Sequence, residues 1–565
     1  CHARSGGYYS HQHVLWTNEF FERYVPRIWK EGGENSAANL AAYHHRPHTK
    51  LQEIVQKADC LSSGMDRNRD EMDEDLGDQA YKKRRMRSIF ETIELEKPLE
   101  RDKDGKLASV YRYPLTALTL EREVVFPRKK EELSPPEGES LVPCYQKLWD
   151  EFCTEHEQII QEVTPEEYVD RLLALLEKYT WSVPSSTVDF PDISLYDHLK
   201  TTAALALCLY EHWNNTGTSG QACKEPFLLV AGDLSGIQNF LYRISQPAGV
   251  GGVTRRLRGR SFYLTLLSEV IALQILRECG LAMVNLLFCG GGRFEILLPN
   301  TPDAHQKLHR FRTELEKWLF HTYEGELGVV LGSVAASEEE IKDYGKLLRR
   351  VDEEITKSKN QKFFDLVTVK ETGFAVAGSV CPSCNLASLK NKEEICLQCK
   401  SHEKIGTMLP RAQFLVYRPP ETEKDKDNFL KDSEQAVQID FGPLGKVDLC
   451  EEKPNQIPTG SWIRMINKVS GMGFTFLANT VPRAIRGWRE IKVGEILDFD
   501  AIAAMSTGDK RLGVLKMDVD HLGMLFSLGL EDAAGKNSIS RIATLSRQLN
   551  LFFTGYLESV EKHLP

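Results

Sequence analysis

The feature that most constrains the fold is a short pattern used twice. VAGDLSGIQNFL (230–241) and LKMDVDHLGMLF (515–526) align without a gap, so that Asp233 falls on Asp518, Ser235 on Asp520 and Ile237 on Leu522. Each reads as the end of a buried strand entering a turn. Each also precedes a helix with an Arg and a Ser near its start, RGRSFYLTLLS and SISRIATLSRQL. Strand, turn and helix recurring in the same order predict one βαβ-containing unit present in two copies. At 565 residues the chain exceeds what one hydrophobic core supports, and its length predicts roughly three or four domains.

The copies differ where chemistry would sit. Residues two apart on a strand point the same way, so Asp518 and Asp520 present carboxylates in one direction. Hard divalent ions such as Mg²⁺ need such oxygens and share them with substrate phosphates in phosphoryl and nucleotidyl transfer. The plain alternative for an isolated Asp-x-Asp is a solvated strand end. The first copy has Ser235 at the second position, and its later turn, Gly290 to Gly292 followed by Arg293, has no acids. Its glycines let backbone approach a phosphate, so it reads as a nucleotide-binding but chemically silent twin. That turn lies about 57 residues after Asp233; the same spacing from Asp518 reaches about residue 575, past Pro565. Both termini, Cys1 and Pro565, are read as cuts.

Cys381, Cys384, Cys396 and Cys399 form CPSC and CLQC separated by eleven residues. Two CxxC turns place four thiolates on one tetrahedral ion, and four sulfurs with no open position predict a structural zinc site that staples an insertion with little core of its own. The odd total of thirteen cysteines, otherwise scattered, fits reduced thiols. Net charge of −10 excludes a globally basic nucleic-acid coat, although GGVTRRLRGR (251–260) is a local basic cluster, read either as phosphate-facing or as a flexible loop. Neither a signal peptide nor a run of about eighteen apolar residues occurs, so the chain reads as soluble and cytoplasmic, with no membrane partner. RNRDEMDEDLGDQAYKKRRMR (67–87) reads as a solvated or mobile charged run, and 131–140, EELSPPEGES, as a linker.

Taken together, GDLSGIQNFL, LRGRSFYL, GGGRFEILLPN, the double CxxC, MDVDHLGMLF, SISRIATLSRQLNLFF, PDISLYDHLKTTAALA (191–206) and YHHRPHTKLQEIVQKADCLSSGMDR (43–67) resemble the large subunit of type III CRISPR effector complexes, in its Csm, subtype A, form. The resemblance implies an α+β multidomain fold. Its parts would be a helical HD-type nuclease domain over 1–130, a linker and helical lead-in over 131–225, and a ferredoxin-like, cyclase-like Palm over 226–375. A zinc-binding and connecting domain over 376–495 and the start of a second Palm over 496–565 would complete it.

The resemblance further implies two activities switched on when target RNA pairs with guide RNA: ATP conversion to cyclic oligoadenylate at the Palms and single-stranded DNA cleavage at the HD domain. Mg or Mn would serve the first site and a transition metal such as Mn, Ni or Co the second. Partners would be guide and target RNA, the small subunit, the subunit binding the guide 5′ end, and single-stranded DNA. Asp518 matches the family's first metal-binding acid and Asp520 its neighbour. Asp233, Ser235, Gly236 and Gly291 match the nucleotide side of the first Palm, with Arg258 and Arg260 as phosphate contacts. His13, His44, His45 and Asp59 match the HD domain, whose name-giving dyad is expected upstream of His13, as the paired acids of the GGDD hairpin are expected beyond Pro565. A catalytically silent scaffold of the same ribonucleoprotein stays open as the alternative.

Overall fold

The computed structural model describes residues 3–4, 8–9, 19–26, 29, 33–64, 82–95, 99, 101, 109–160, 163–186, 191–216, 224–243, 252–363, 380–385, 394–420, 435–487, 491–514, 519–530 and 537–557. His13 and Asp518 therefore lie outside the described residues.

The longer helices preceding the first sheet are α1 (Lys50–Ser63), α2 (Val142–Ile159), α3 (Pro165–Thr180) and α4 (Leu195–Thr216). Local chemistry sets their ends. The Thr49 hydroxyl caps the first turn of α1 and Gly64, in the left-handed region, closes it. Thr164 and Glu167 form a reciprocal capping box on α3, with Pro165 in the first turn.

The first sheet contains β1 (Phe227–Ser235), β2 (Leu286–Gly290), β3 (Arg293–Pro299) and β4 (Gly328–Ala336), in the order β2-β3-β1-β4 with every pairing antiparallel. Between strands run α5 (Ile237–Tyr242), α6 (Val253–Cys279) and α7 (Pro302–Tyr323). This βαββαβ path with β1 central is the ferredoxin-like arrangement. β1 reads as a continuous apolar run because both faces are covered. Leu228 and Val230 pack toward α6 and α7, whereas Phe227, Leu229 and Ala231 share a core with α1, α4 and α8 (Tyr344–Lys359).

Beyond α9 (Leu397–Met408) comes a second sheet of β5 (Phe414–Arg418), β6 (Ala436–Asp440), β7 (Lys446–Cys450), β8 (Trp462–Ile466) and β9 (Phe474–Thr475), ordered β6-β7-β5-β8-β9. Leu415, Tyr417, Val447 and Leu449 join the core that holds α6, so the two sheets share that helix as a common wall. Last come α10 (Leu522–Ser527) and α11 (Ile539–Asn550), whose Leu525, Ile539, Ile542 and Leu545 sit in the core on the other face of β1.

The repeat is visible in the backbone. α5 and α10 begin at aligned positions, and their preceding residues, Gly236 (φ 91) and His521 (φ 54), are both left-handed. One surface expectation is corrected. The end of the charged run is inside: Met86 is fully buried beside Tyr113 and Trp181, and Arg85 donates to the Pro135 carbonyl. That same bond, with Arg112 paired to Glu137, ties 131–140 to the body at two points, and the segment is otherwise largely exposed. The rest of the run, 67–81, lies outside the described residues. Among the described residues no helix is long and apolar enough to cross a membrane.

Candidate functional site

Four loci carry the sequence candidates. The first is the end of β1. Asp233 pairs in register with Arg293, and the Leu234 amide donates to the Gly292 carbonyl, which brings Asp233, Ser235, Gly236 and the Gly291 turn to one end of the sheet. Gly236 is required there: a Cβ would stand 1.9 Å from the Glu326 carbonyl oxygen, besides the positive φ. Gly291, by contrast, has nothing within 4 Å of a built Cβ and opens onto a cavity of about 470 Å³. Asp233 pairs with Lys359 at 2.5 Å, and the Ser235 hydroxyl donates to the Gly328 carbonyl.

The cavity under the glycine turn is walled by charge: Asp170, Glu177 and Lys200 from α3 and α4, Arg464 from β8, and Arg547 from α11. Burial pushes the Asp170 carboxyl up to about 6, against the hydrogen bond from Trp462 and the charges of Arg464 and Arg277. Its folded pKa thus exceeds its unfolded value, so the folded state binds the extra proton and stability falls as pH rises from about 4 to 6. Asp170→Asn is expected to raise stability at pH 8 by about 3 kcal/mol and to change little at pH 4. Paired urea denaturation of variant and parent at the two pH values measures this; equal gains at both would show that Asp170 titrates normally.

The second locus joins α1 to α4. The rings of His44 and His45 lie tilted by 42° with centres 3.9 Å apart, and Nδ1 of His44 bonds the Ala41 carbonyl at 2.6 Å. On α1, Asp59 accepts from Nε2 of His198 at 3.0 Å. Burial raises the Asp59 pKa, but the His198 hydrogen bond and the charges of His198, His44 and His45 outweigh it and leave it lowered. Imidazoles and a carboxylate are the donors a transition metal takes. Among the described residues only the four cysteines bring three or more ligand atoms within 4.8 Å of one another, so these four side chains share a site without closing round a point.

His198 is the residue that sequence reasoning missed. LYDHLK carries part of the resemblance, but nothing in its local pattern marks the histidine. Its Asp197-His198 pair is split by helical geometry, neighbours lying about 100° apart: Asp197 turns to Arg547 and His198 to Asp59.

At the third locus all four thiols of Cys381, Cys384, Cys396 and Cys399 are buried, with Sγ atoms within 4.8 Å. The Cys384 to Cys396 separation, 3.8 Å, is the edge of a tetrahedron with Zn–S bonds of about 2.3 Å. The donor set fits zinc. Other described cysteines, such as Cys153, Cys208 and Cys450, are unbridged.

Here the basic cluster is corrected. Residues 253–260 are the first turns of α6, which crosses α9 so closely that a Cβ on Gly259 would meet the His402 carbonyl oxygen at 1.8 Å. Arg256 is fully buried against Glu403, and Arg255 reaches the same carboxylate. Arg258 donates to the Gly406 carbonyl. Arg260, also buried, donates to the Phe240 and Arg243 carbonyls and to Cys399 Sγ. These guanidiniums fasten the cysteine element to the first sheet instead of facing a phosphate, because helix packing brings acceptors from α9 to them.

The fourth locus is the second copy. Asp520 is exposed in the turn before α10, and Phe526 packs on Phe288 of the first unit at 6.4 Å. The two copies thus lie side by side.

The structure thus sets a ferredoxin-like sheet beside a turn and helix that repeat its own opening, with a cysteine cluster clipped to it. Residues 226–372 match the family model for Csm1 subunit domain B, and 511–564 that for the Cas10/Cmr2 second palm domain. In these segments and in overall sequence the chain is similar to Cas10/Csm1 large subunits of CRISPR subtype III-A.

It is 28% identical to the Methanocaldococcus jannaschii protein named as a CRISPR single-strand-specific deoxyribonuclease Cas10/Csm1, over 94% of this chain and 72% of the relative. It is 30% identical to that of Thermococcus onnurineus, over 79% and 55%. Among solved structures, a Csm1–Csm4 cassette with one ATP shares 22% identity at a TM-score of 0.65, covering 98% of this chain and 67% of the other. A cassette with cA3 shares 23% at 0.66, covering 99% and 67%. The chain therefore spans between about half and three quarters of the length of these relatives.

Proposed function

We propose that this chain is part of a type III-A effector large subunit that converts ATP to cyclic oligoadenylate at its paired Palms and cleaves single-stranded DNA at the His/Asp cluster on α1 and α4, when target RNA pairs with guide RNA. The observation that carries the reading is the duplicated Palm opening, in which one copy has Asp518-x-Asp520 and the other a glycine-lined turn over a cavity. Relatives named as single-strand-specific deoxyribonucleases and related folds crystallised with ATP and cA3 support it.

In this reading the first Palm binds nucleotide through Ser235, Gly236 and the Gly291 turn, whose lack of side chains admits a phosphate. Asp518 and Asp520 hold Mg²⁺ or Mn²⁺, which supplies charge stabilisation at the phosphates. His44, His45, Asp59 and His198, with His13, hold the nuclease metal, Mn, Ni or Co, which activates water. The four cysteines hold structural zinc. The partners are guide and target RNA, single-stranded DNA, the small subunit and a Csm4-type subunit. The fold divides into an HD-type region, two Palms and the zinc-bearing element between them.

The test uses the full-length protein assembled with its guide RNA and subunits. Target RNA with ATP and Mg²⁺ is expected to give cyclic oligoadenylate, and Mn²⁺ to give single-stranded DNA cleavage. His198→Ala should slow cleavage at least about tenfold, with oligoadenylate output as the internal control for folding. A parent complex that makes neither product would leave only the scaffold reading.

A further inference from the structure

The His/Asp cluster lies on α1, α4 and the turn before α1, yet several buried polar contacts around it come from α11, far along the chain. Arg541 donates from Nε and Nη2 to the Asp192 carboxylate at 3.0 and 2.6 Å, with both side chains 3% exposed. Arg547 holds Asp197 through Nε and Nη2 at 3.0 and 2.8 Å and also donates to the Trp181 carbonyl. Asp192 and Asp197 stand on either side of the start of α4. Between them, the Ser194 amide donates to Thr544 Oγ1.

A further bond reaches His198 through one residue. Ser540 Oγ donates to the Ser62 carbonyl at 2.7 Å. The Ser62 hydroxyl lies 3.1 Å from Nδ1 of His198 and 2.7 Å from Thr201 Oγ1. His198 is thus held by Ser62 at Nδ1, while its Nε2 faces the Asp59 carboxylate, with which it would share a metal in place of the direct hydrogen bond. A partner on the distal nitrogen is what fixes the tautomer and ring direction of an imidazole that ligates a metal.

We propose that α11, which lies in the segment matching the second Palm, is a positioning element of the His198–Asp59 site: Arg541, Arg547, Thr544 and Ser540 together aim His198. The proposal rests on the metal-dependent nuclease reading of that site. Stability alone does not require such contacts, since a buried ion pair is often replaceable by apolar residues of similar volume without loss. What the four contacts do supply is a defined register of α11 against the start of α4, through Asp192, Ser194 and Asp197, and against the last turn of α1, through Ser62. A shift of α11 therefore moves His198 relative to Asp59, which couples the geometry of one site to the packing of the other half of the protein.

The test compares Ser540→Ala, Ser540→Thr and the paired replacement Arg541→Met with Asp192→Leu, in the full-length protein within its assembled complex. Mn²⁺ binding is followed by electron paramagnetic resonance, and kcat and KM are measured for single-stranded DNA cleavage. Ser540→Ala and the paired replacement are expected to raise the Mn²⁺ concentration for half-saturation about tenfold and to lower kcat at unchanged DNA KM. Ser540→Thr, which keeps the hydroxyl, should stay near the parent. Thermal unfolding identifies any variant whose loss follows from unfolding. Unchanged Mn²⁺ binding in folded variants overturns the positioning role. If His198→Ala cleaves as well as the parent, the nuclease reading is what fails, and this proposal fails with it.

Discussion

Asp518→Asn and Asp520→Asn, each in the full-length protein within its target-bound complex, are expected to lower cyclic oligoadenylate synthesis by at least about a hundredfold. Each substitution keeps the shape of the side chain and removes one anionic oxygen, so it removes charge where a divalent ion must share its coordination with phosphates. The aligned first copy acts as a natural control. At Ser235 it has a hydroxyl that donates to a carbonyl, and at Asp233 a carboxylate already paired with Lys359. Asp233→Asn should therefore alter nucleotide KM more than kcat. Chromatographic quantification of the products from radiolabelled ATP separates the cases, and full synthesis by both second-copy variants would leave the two acids as an ordinary solvated strand end.

Loss of the cysteine site is expected to have the largest effect on folding. Cys396→Ser with Cys399→Ser should abolish stoichiometric zinc, read by elemental analysis, and expose the segment around α9 to limited proteolysis. Apparent zinc affinity in small structural sites amounts to about 10–16 kcal/mol of folding free energy, which an element whose core among the described residues is five residues, four of them cysteines, cannot replace. The disturbance should spread to α5, because Arg260 links Cys399 Sγ to the carbonyls of Phe240 and Arg243. A protein that retained protease resistance without zinc would show that the crossing of α6 and α9 at Gly259 and Gly406 suffices by itself.

Local pattern was enough for the features whose geometry depends on neighbours in the chain. The repeat could be read because turn and helix start are set by consecutive residues, and the aligned left-handed Gly236 and His521 bear it out. The cysteine spacing could be read because a CxxC turn presents two sulfurs whatever surrounds it. The HD-type expectations of His44, His45 and Asp59 came from resemblance; in the structure the two imidazoles touch each other and act on Asp59 through their charge.

Tertiary structure decided the rest, and the reason is separation along the chain. Asp59 and His198 are 139 residues apart, and Arg541 and Asp192 are 349 apart. No periodicity or spacing rule connects residues at such distances; only packing of α4 on α1 and of α11 on α4 does. The arginines of 255–260 make the same point from the other side. Sequence presents them as a basic cluster able to meet phosphate, and what they meet depends on a helix about 150 residues away whose Glu403, Gly406 and Cys399 supply the acceptors. Residue type and local spacing determined which chemistry this chain could carry, while the long-range packing decided which of those groups face each other and which are committed to holding the fold.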